Sequence, residues 1–99
     1  MKIYYYLISC KDSAITACYV GSTNNYSNRC REHYSRSQNN KDPAFTKKLY
    51  QFIRANGGWD NWEINLLDTI ELFDKRLIRA FEQNLICYYQ AQLNSNLAY

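Results

Sequence analysis

Residues 3–9, Ile-Tyr-Tyr-Tyr-Leu-Ile-Ser, are apolar or aromatic without a helical period. Side chains of these types fit a pleated, half-buried surface, so the run predicts a strand. Alternation places Tyr4 and Tyr6 on one face and Tyr5 on the other. Lys11, Asp12 and Ser13 interrupt the run, and Cys18-Tyr19-Val20-Gly21 restores strand character, which predicts an antiparallel hairpin with a long connection. Ser22, Thr23, Asn24 and Asn25 are helix-capping types, and charges at helical spacing carry the next element to about Ser35. A polar loop over residues 35–42 ends at Pro43, which suits the first turn of a new helix. Phe45, Leu49, Phe52 and Ile53 recur at i, i+4, i+7 and i+8, an amphipathic stripe that Asn56-Gly57-Gly58 stops. Residues 63–70 read as a third strand beginning near Trp62. From Leu72 to about Gln92 the period is helical again, with Phe73, Leu77, Phe81, Leu85 and Tyr88 as the buried stripe and Glu82 toward its edge. Residues 93–96 leave that helix as a tail. The order ββααβα, without internal repeat, predicts an α+β domain: a three-stranded antiparallel sheet flanked by about three helices.

Length and composition narrow this picture. A chain of 99 residues supports one core, since at this size only about 60 to 65% of the unfolded surface is buried, so one domain over residues 1–99 is expected. The 46% hydrophobic share, one proline and three glycines exclude a disordered tail or linker. No apolar run approaches the roughly 18 residues of a membrane span, and the Met1-Lys2-Ile3-Tyr4 start lacks signal-peptide character, so a soluble intracellular protein, cytoplasmic or nuclear, is expected. That compartment favours free thiols for Cys10, Cys18, Cys30 and Cys87. A zinc site from Cys10, Cys18, Cys30 and His33 lacks the paired short spacings such sites use. Twelve basic against nine acidic residues give a net charge of +3, which favours a polyanionic partner without the excess of a purely electrostatic binder. Ten tyrosines make either a tyrosine-rich core and rim or a polar, aromatic-lined site.

The candidate chemistry starts at Arg29 and His33, which fall four apart and therefore on one helix face. Two tyrosine-bearing strands, then Tyr19-Val20-Gly21-Ser22, an arginine helix and a late helix with a glutamate follow in an order that resembles the GIY-YIG nuclease family over essentially the whole chain. Lys2-Ile3-Tyr4 stands at the family's first tripeptide and Tyr19-Val20-Gly21 at its second. Arg29 and His33 match its Arg-x-x-x-His helix, Glu82 its metal-binding glutamate, and Asn94, twelve residues on, the asparagine that many members carry. The stretch from Lys48-Leu49-Tyr50 to Trp62-Glu63 is similar to a branch common among large DNA viruses and their relatives, and stand-alone members also occur in mobile elements. Two departures stand out: Lys2 replaces the first glycine, and the connection from Tyr4 to Tyr19 is long. They leave open whether Tyr4 or Tyr6, on the same face, presents its hydroxyl.

The resemblance implies a metal-dependent DNA endonuclease leaving 5′-phosphate and 3′-hydroxyl ends. Glu82 would be a hard oxygen ligand for Mg²⁺, with Mn²⁺ as substitute, because a lone carboxylate leaves the remaining positions to water and substrate. Arg29 offers a planar fork for phosphate oxygens. Tyr4 is the expected general base, with His33 as helper or alternative base. A phenol with an ordinary pKa near 10 needs a drop of roughly two to three units for that task. Tyr19 is expected to position phosphate or water, and Gly21 to admit close substrate approach. Lys47, Lys48, Arg54 and Asn94 complete the expected substrate-binding set. With few phosphate contacts and no second domain, weak and salt-sensitive DNA binding with little sequence preference is expected, unless the chain forms a homodimer or borrows a partner protein's specificity.

Each residue also has a plain structural reading. His33 is then a surface residue, Glu82 a solvated edge charge, Arg29 the partner of Glu32, and Tyr4 and Tyr19 cross-strand packing. Trp59 and Trp62 serve packing before base stacking. Two further function classes compete: a non-catalytic nucleic-acid binding module of the same fold, whose binding would survive a chelator, and a protein-interaction domain with no salt-dependent nucleic-acid binding.

Overall fold

The tyrosine-rich run forms β1 (Lys2–Cys10), which takes the centre of the sheet because side chains on both of its faces are buried. β2 (Cys18–Thr23) and β3 (Trp62–Glu71) flank it, both antiparallel, in the order β2-β1-β3. The computed structural model describes residues 1–71 and 74–94. α1 (Tyr26–Gln38) follows β2 directly, with Asn25 as its cap accepting the Asn28 amide at 3.1 Å. α2 (Lys48–Ala55) and α3 (Lys75–Tyr89) complete the order ββααβα expected of an α+β domain. Among the described residues no helix is long and apolar enough to cross a membrane.

The two faces of the sheet carry separate cores. Tyr6 and Ile8 of β1 pack with Leu49, Tyr50 and Ile53 of α2 and with Trp62, while Cys18 and Val20 of β2 pack with Ile86 of α3 and Ala91. Trp62 is core, and Trp59 meets Tyr34 edge-on at 6.2 Å on the outer side of α1. Arginine also serves the core: Arg54 donates to the carbonyls of Ser37 at 2.9 Å and Phe45 at 2.6 Å and covers the Phe45 ring at 3.6 Å. Its guanidinium ties the end of α1 to the turn before α2. Arg54, expected as a DNA contact, therefore has a structural role, with two of its five N–H donors given to carbonyls.

One element boundary and part of one buried face differ from the pattern in the sequence. Pro43 opens a separate 3₁₀ turn, Pro43–Thr46, capped by Asp42, so Phe45 precedes α2. Leu77 and Tyr88 lie on the solvent side of α3, 55% and 78% exposed, whereas Phe81, whose ring centre is 4.9 Å from that of Tyr5, and Leu85 are packed as expected, joined by Ile78, Glu82 and Ile86. Packing against β2 centres the buried face on Ile86. Glu82 consequently sits in the inward stripe, one turn from Ile78 and one from Ile86. Phe73 and the expected start at Leu72 lie outside the described residues, as do Ser95 and Asn96.

The end of α3 completes the frame of the site. Gln90 takes a left-handed φ of 50° and returns the chain along β2, with the Ala91 amide donating to the Ile86 carbonyl at 3.0 Å. The Leu93 amide then reaches the Cys18 carbonyl at 3.0 Å. Asn94 meets Val20 twice, accepting its amide at 2.9 Å and donating to its carbonyl at 2.7 Å. The side chain of Asn94 thus mimics a strand partner on the free edge of β2. This buried clamp gives Asn94, expected to bind substrate, a structural role, with both ends of its amide engaged by backbone.

Candidate active site

A cleft of about 680 Å³ opens where α1, α2 and α3 meet at the β2 edge. Arg29, His33 and Arg36 line it from α1, Lys48 and Tyr50 from α2, with Lys47 just before that helix, and Arg79 and Glu82 from α3, with Tyr19 and Asn94 beside them. Five cations thus face one carboxylate in this cleft, so the cleft is more positive than the net +3 of the whole chain. A polyanion is drawn to this place rather than to the surface at large.

Tyr6, His33 and Tyr50 form a buried chain at the inner end of the cleft. The Tyr6 hydroxyl lies 2.7 Å from His33 Nε2, and His33 Nδ1 lies 2.8 Å from the Tyr50 hydroxyl. All three residues are 3% exposed or less. Tyr19 approaches His33 edge-on at 5.9 Å between ring centres. Arg29 donates through Nε to Glu32 at 3.0 Å and reaches the Ser22 carbonyl at 3.4 Å. Glu32 also draws Arg36, at 3.7 Å, so one carboxylate spaces two cleft arginines. On the opposite wall the Ser22 hydroxyl donates to Glu82 at 2.6 Å.

The cleft gathers Tyr19, Arg29, His33, Glu82, Lys47, Lys48 and Asn94 from the residues singled out in the sequence. It does not gather Tyr4. Antiparallel register sets Tyr6 opposite Gly21 and Tyr4 opposite Thr23, two positions along the strand, where Tyr4 stacks on Tyr26 at 6.0 Å. Gly21 is buried, and a Cβ there would overlap the Tyr6 phenol. The missing side chain makes room for Tyr6 and not, as expected, for substrate. Arg36, Arg79, Tyr50 and Ser22 were not singled out by the sequence. Spacing reveals the arginines, since Arg36 is seven residues from Arg29 and Arg79 three from Glu82. Tyr50 and Ser22 gave no such signal.

The sequence profile of the GIY-YIG catalytic domain matches residues 2–95. The chain belongs to the GIY-YIG family. It is accordingly a nuclease domain acting on DNA, in a family of phosphodiester hydrolases that typically use a divalent metal. No curated protein and no solved structure gives a match. In this GIY-YIG domain the donor set suits such an ion. Glu82 is half-buried in the cleft and held by Ser22, and among the described residues no group of three potential metal-ligating side chains exists. One fixed carboxylate fits a hard cation that keeps water and phosphate oxygens as its other ligands, and not a caged zinc.

Proton affinities in the GIY-YIG site follow from burial. Burial first, then the Arg29, Arg36 and Lys47 charges, lowers the His33 pKa to about 4. Burial likewise pushes the Tyr19 phenol up to about 12 and the Tyr6 phenol above its ordinary range, helped there by Tyr19. At neutral pH the resting chain is thus a neutral imidazole between neutral phenols. A histidine whose folded pKa lies below its unfolded value, near 6.5, contributes stability in full above 6.5 and loses it as pH falls toward 4. Unfolding by urea should therefore cost about 2 kcal/mol less at pH 5 than at pH 7. His33 is the single histidine, so an asparagine in its place should flatten that slope.

Proposed function

We propose that this domain is a Mg²⁺-dependent DNA endonuclease, with Mn²⁺ as substitute, that leaves 5′-phosphate and 3′-hydroxyl ends and has little sequence preference of its own. The observation that carries this reading is the cleft itself, where a Ser22-held carboxylate and five cations meet His33, with the buried Tyr6 hydroxyl 2.7 Å behind the imidazole. Glu82 would hold the ion. When bound, the ion neutralises phosphate charge and lowers the pKa of its water. Arg29 stabilises charge developing on the phosphate through its planar fork. Tyr19 positions the water. Tyr6, in place of Tyr4, takes the water's proton while its own hydroxyl proton passes to His33 Nε2. As the water oxygen bonds to phosphorus, the bond from phosphorus to the 3′ oxygen breaks, and that oxygen takes a proton from cleft water. Because the buried phenol passes one proton on as it gains another, it never has to persist as a phenolate.

Lys47, Lys48, Arg36 and Arg79 serve binding by charge. Four phosphate contacts predict a slope of about −3 to −4 for log affinity against log salt concentration. A titration of fluorescent duplex between low and moderate salt measures it, and a slope near zero would contradict the cleft as the DNA site. The end chemistry has its own test. Nicks made by the enzyme should be sealed directly by DNA ligase, whereas ends that require a phosphatase and kinase first would overturn the assigned direction of cleavage.

A further inference from the structure

Tyr50 is the one member of the buried chain that the proposed reaction leaves without a task. The direction of the chain's hydrogen bonds follows from counting donors and acceptors. Neutral imidazole donates at one nitrogen and accepts at the other, so His33 accepts from one tyrosine and donates to the other. The two tyrosines are not equivalent. Tyr6 is 1% exposed, and among the described residues its hydroxyl proton has a single acceptor, His33 Nε2, since its charged neighbour Arg29 can only donate. Tyr50 lines the cleft, where its hydroxyl proton can go to water. Leaving the Tyr6 proton without an acceptor would carry the full cost of a buried unpaired donor. The ring proton of His33 must then sit on Nδ1.

We propose that Tyr50 is a positioning residue: its hydroxyl oxygen, 2.8 Å from His33 Nδ1, holds the imidazole in the Nδ1–H form and so keeps Nε2 as the acceptor for Tyr6. The inference rests on the nuclease reading above, in which Nε2 must be free to receive the Tyr6 proton. Tyr50 itself touches neither substrate nor the reacting atoms. It acts through the tautomer of His33, as partners of metal-bound and catalytic histidines do elsewhere.

The test is ¹⁵N–¹H correlation spectroscopy of the imidazole in metal-free protein, unambiguous because the chain has one histidine. The wild-type protein should show Nδ1–H, and Tyr50→Phe, which removes the acceptor, should move the proton to Nε2. In parallel, Tyr50→Phe should lower kcat about 10- to 100-fold with KM little changed, and lower the melting temperature by several degrees because a buried hydrogen bond is lost. A wild-type ring protonated at Nε2 overturns the proposal even if the variant fails to fold. A tautomer that stays on Nδ1 in Tyr50→Phe, or one that moves without any change in kcat, overturns it as well. If the tautomer moves as expected but the wild-type protein cuts no DNA, the nuclease reading fails, and with it the positioning role.

Discussion

Glu82→Gln is expected to lose at least about 10³-fold in DNA cleavage while folding as the wild type does. Glutamine keeps the size of the side chain and an oxygen to accept the Ser22 hydroxyl, which is 2.6 Å from the carboxylate. Only the charge and the second equivalent oxygen are lost. Among the described residues Glu82 is the one carboxylate lining the cleft, so none of them there supplies a replacement carboxylate for the cation. Stability should change little, since the side chain is half-buried and the Ser22 contact survives. Single-turnover cleavage with a metal titration, beside a melting curve, separates these effects. The variant should remain inactive at every Mg²⁺ concentration that saturates the wild type. Near-normal cleavage by folded Glu82→Gln would remove this residue from the metal site.

Arg29→Lys should lose about 10²-fold in kcat with little change in DNA affinity. Lysine preserves the charge, and Arg36, Lys47, Lys48 and Arg79 remain to draw the DNA in. What it lacks is the fork. The guanidinium of Arg29 satisfies Glu32 at 3.0 Å and reaches the Ser22 carbonyl at 3.4 Å, which locks its plane at the cleft wall. An ammonium on a flexible stem cannot hold Glu32 and a phosphate oxygen in one fixed geometry. Binding at saturating calcium and turnover in Mg²⁺ would be compared. A proportional fall in affinity and turnover would mean that Arg29 only attracts DNA and does not select the transition state.

Local pattern carried much of the fold. The strand runs, the asparagine cap of α1 and the Gly57-Gly58 stop of α2 depend on neighbours within a turn or a pleat, and these are where the sequence suggests. Helical spacing also suffices to bring Arg29 and His33 together. The choice between Tyr4 and Tyr6 is of another kind. It depends on which residue of β2 lies opposite, across a connection whose length the pattern alone does not interpret, and Gly21 opposite Tyr6 supports the choice proposed above.

Similar non-local facts hide the remaining corrections. On α3, Leu77 and Ile78 are both apolar, and only the docking of Ile86 on β2 tells that Ile78 turns inward and Leu77 outward. That same choice turns Glu82 from an edge residue into one aimed at Ser22. Arg54 and Asn94 look like polar surface groups in the sequence, yet each is matched to carbonyl or amide groups brought from distant segments. Tyr50 carries no signal in the sequence because its hydroxyl acquires meaning only next to His33.

The central claim, that this cleft hydrolyses DNA with a metal held by Glu82, is tested most directly by converting supercoiled plasmid with purified protein in Mg²⁺ and in chelator. The account predicts nicked and linear DNA in Mg²⁺, none in chelator and none with folded Glu82→Gln. Plasmid that stays intact in Mg²⁺ and Mn²⁺, while the folded protein still retards it on a gel with or without chelator, would contradict the claim and make this a DNA-binding module of the GIY-YIG fold.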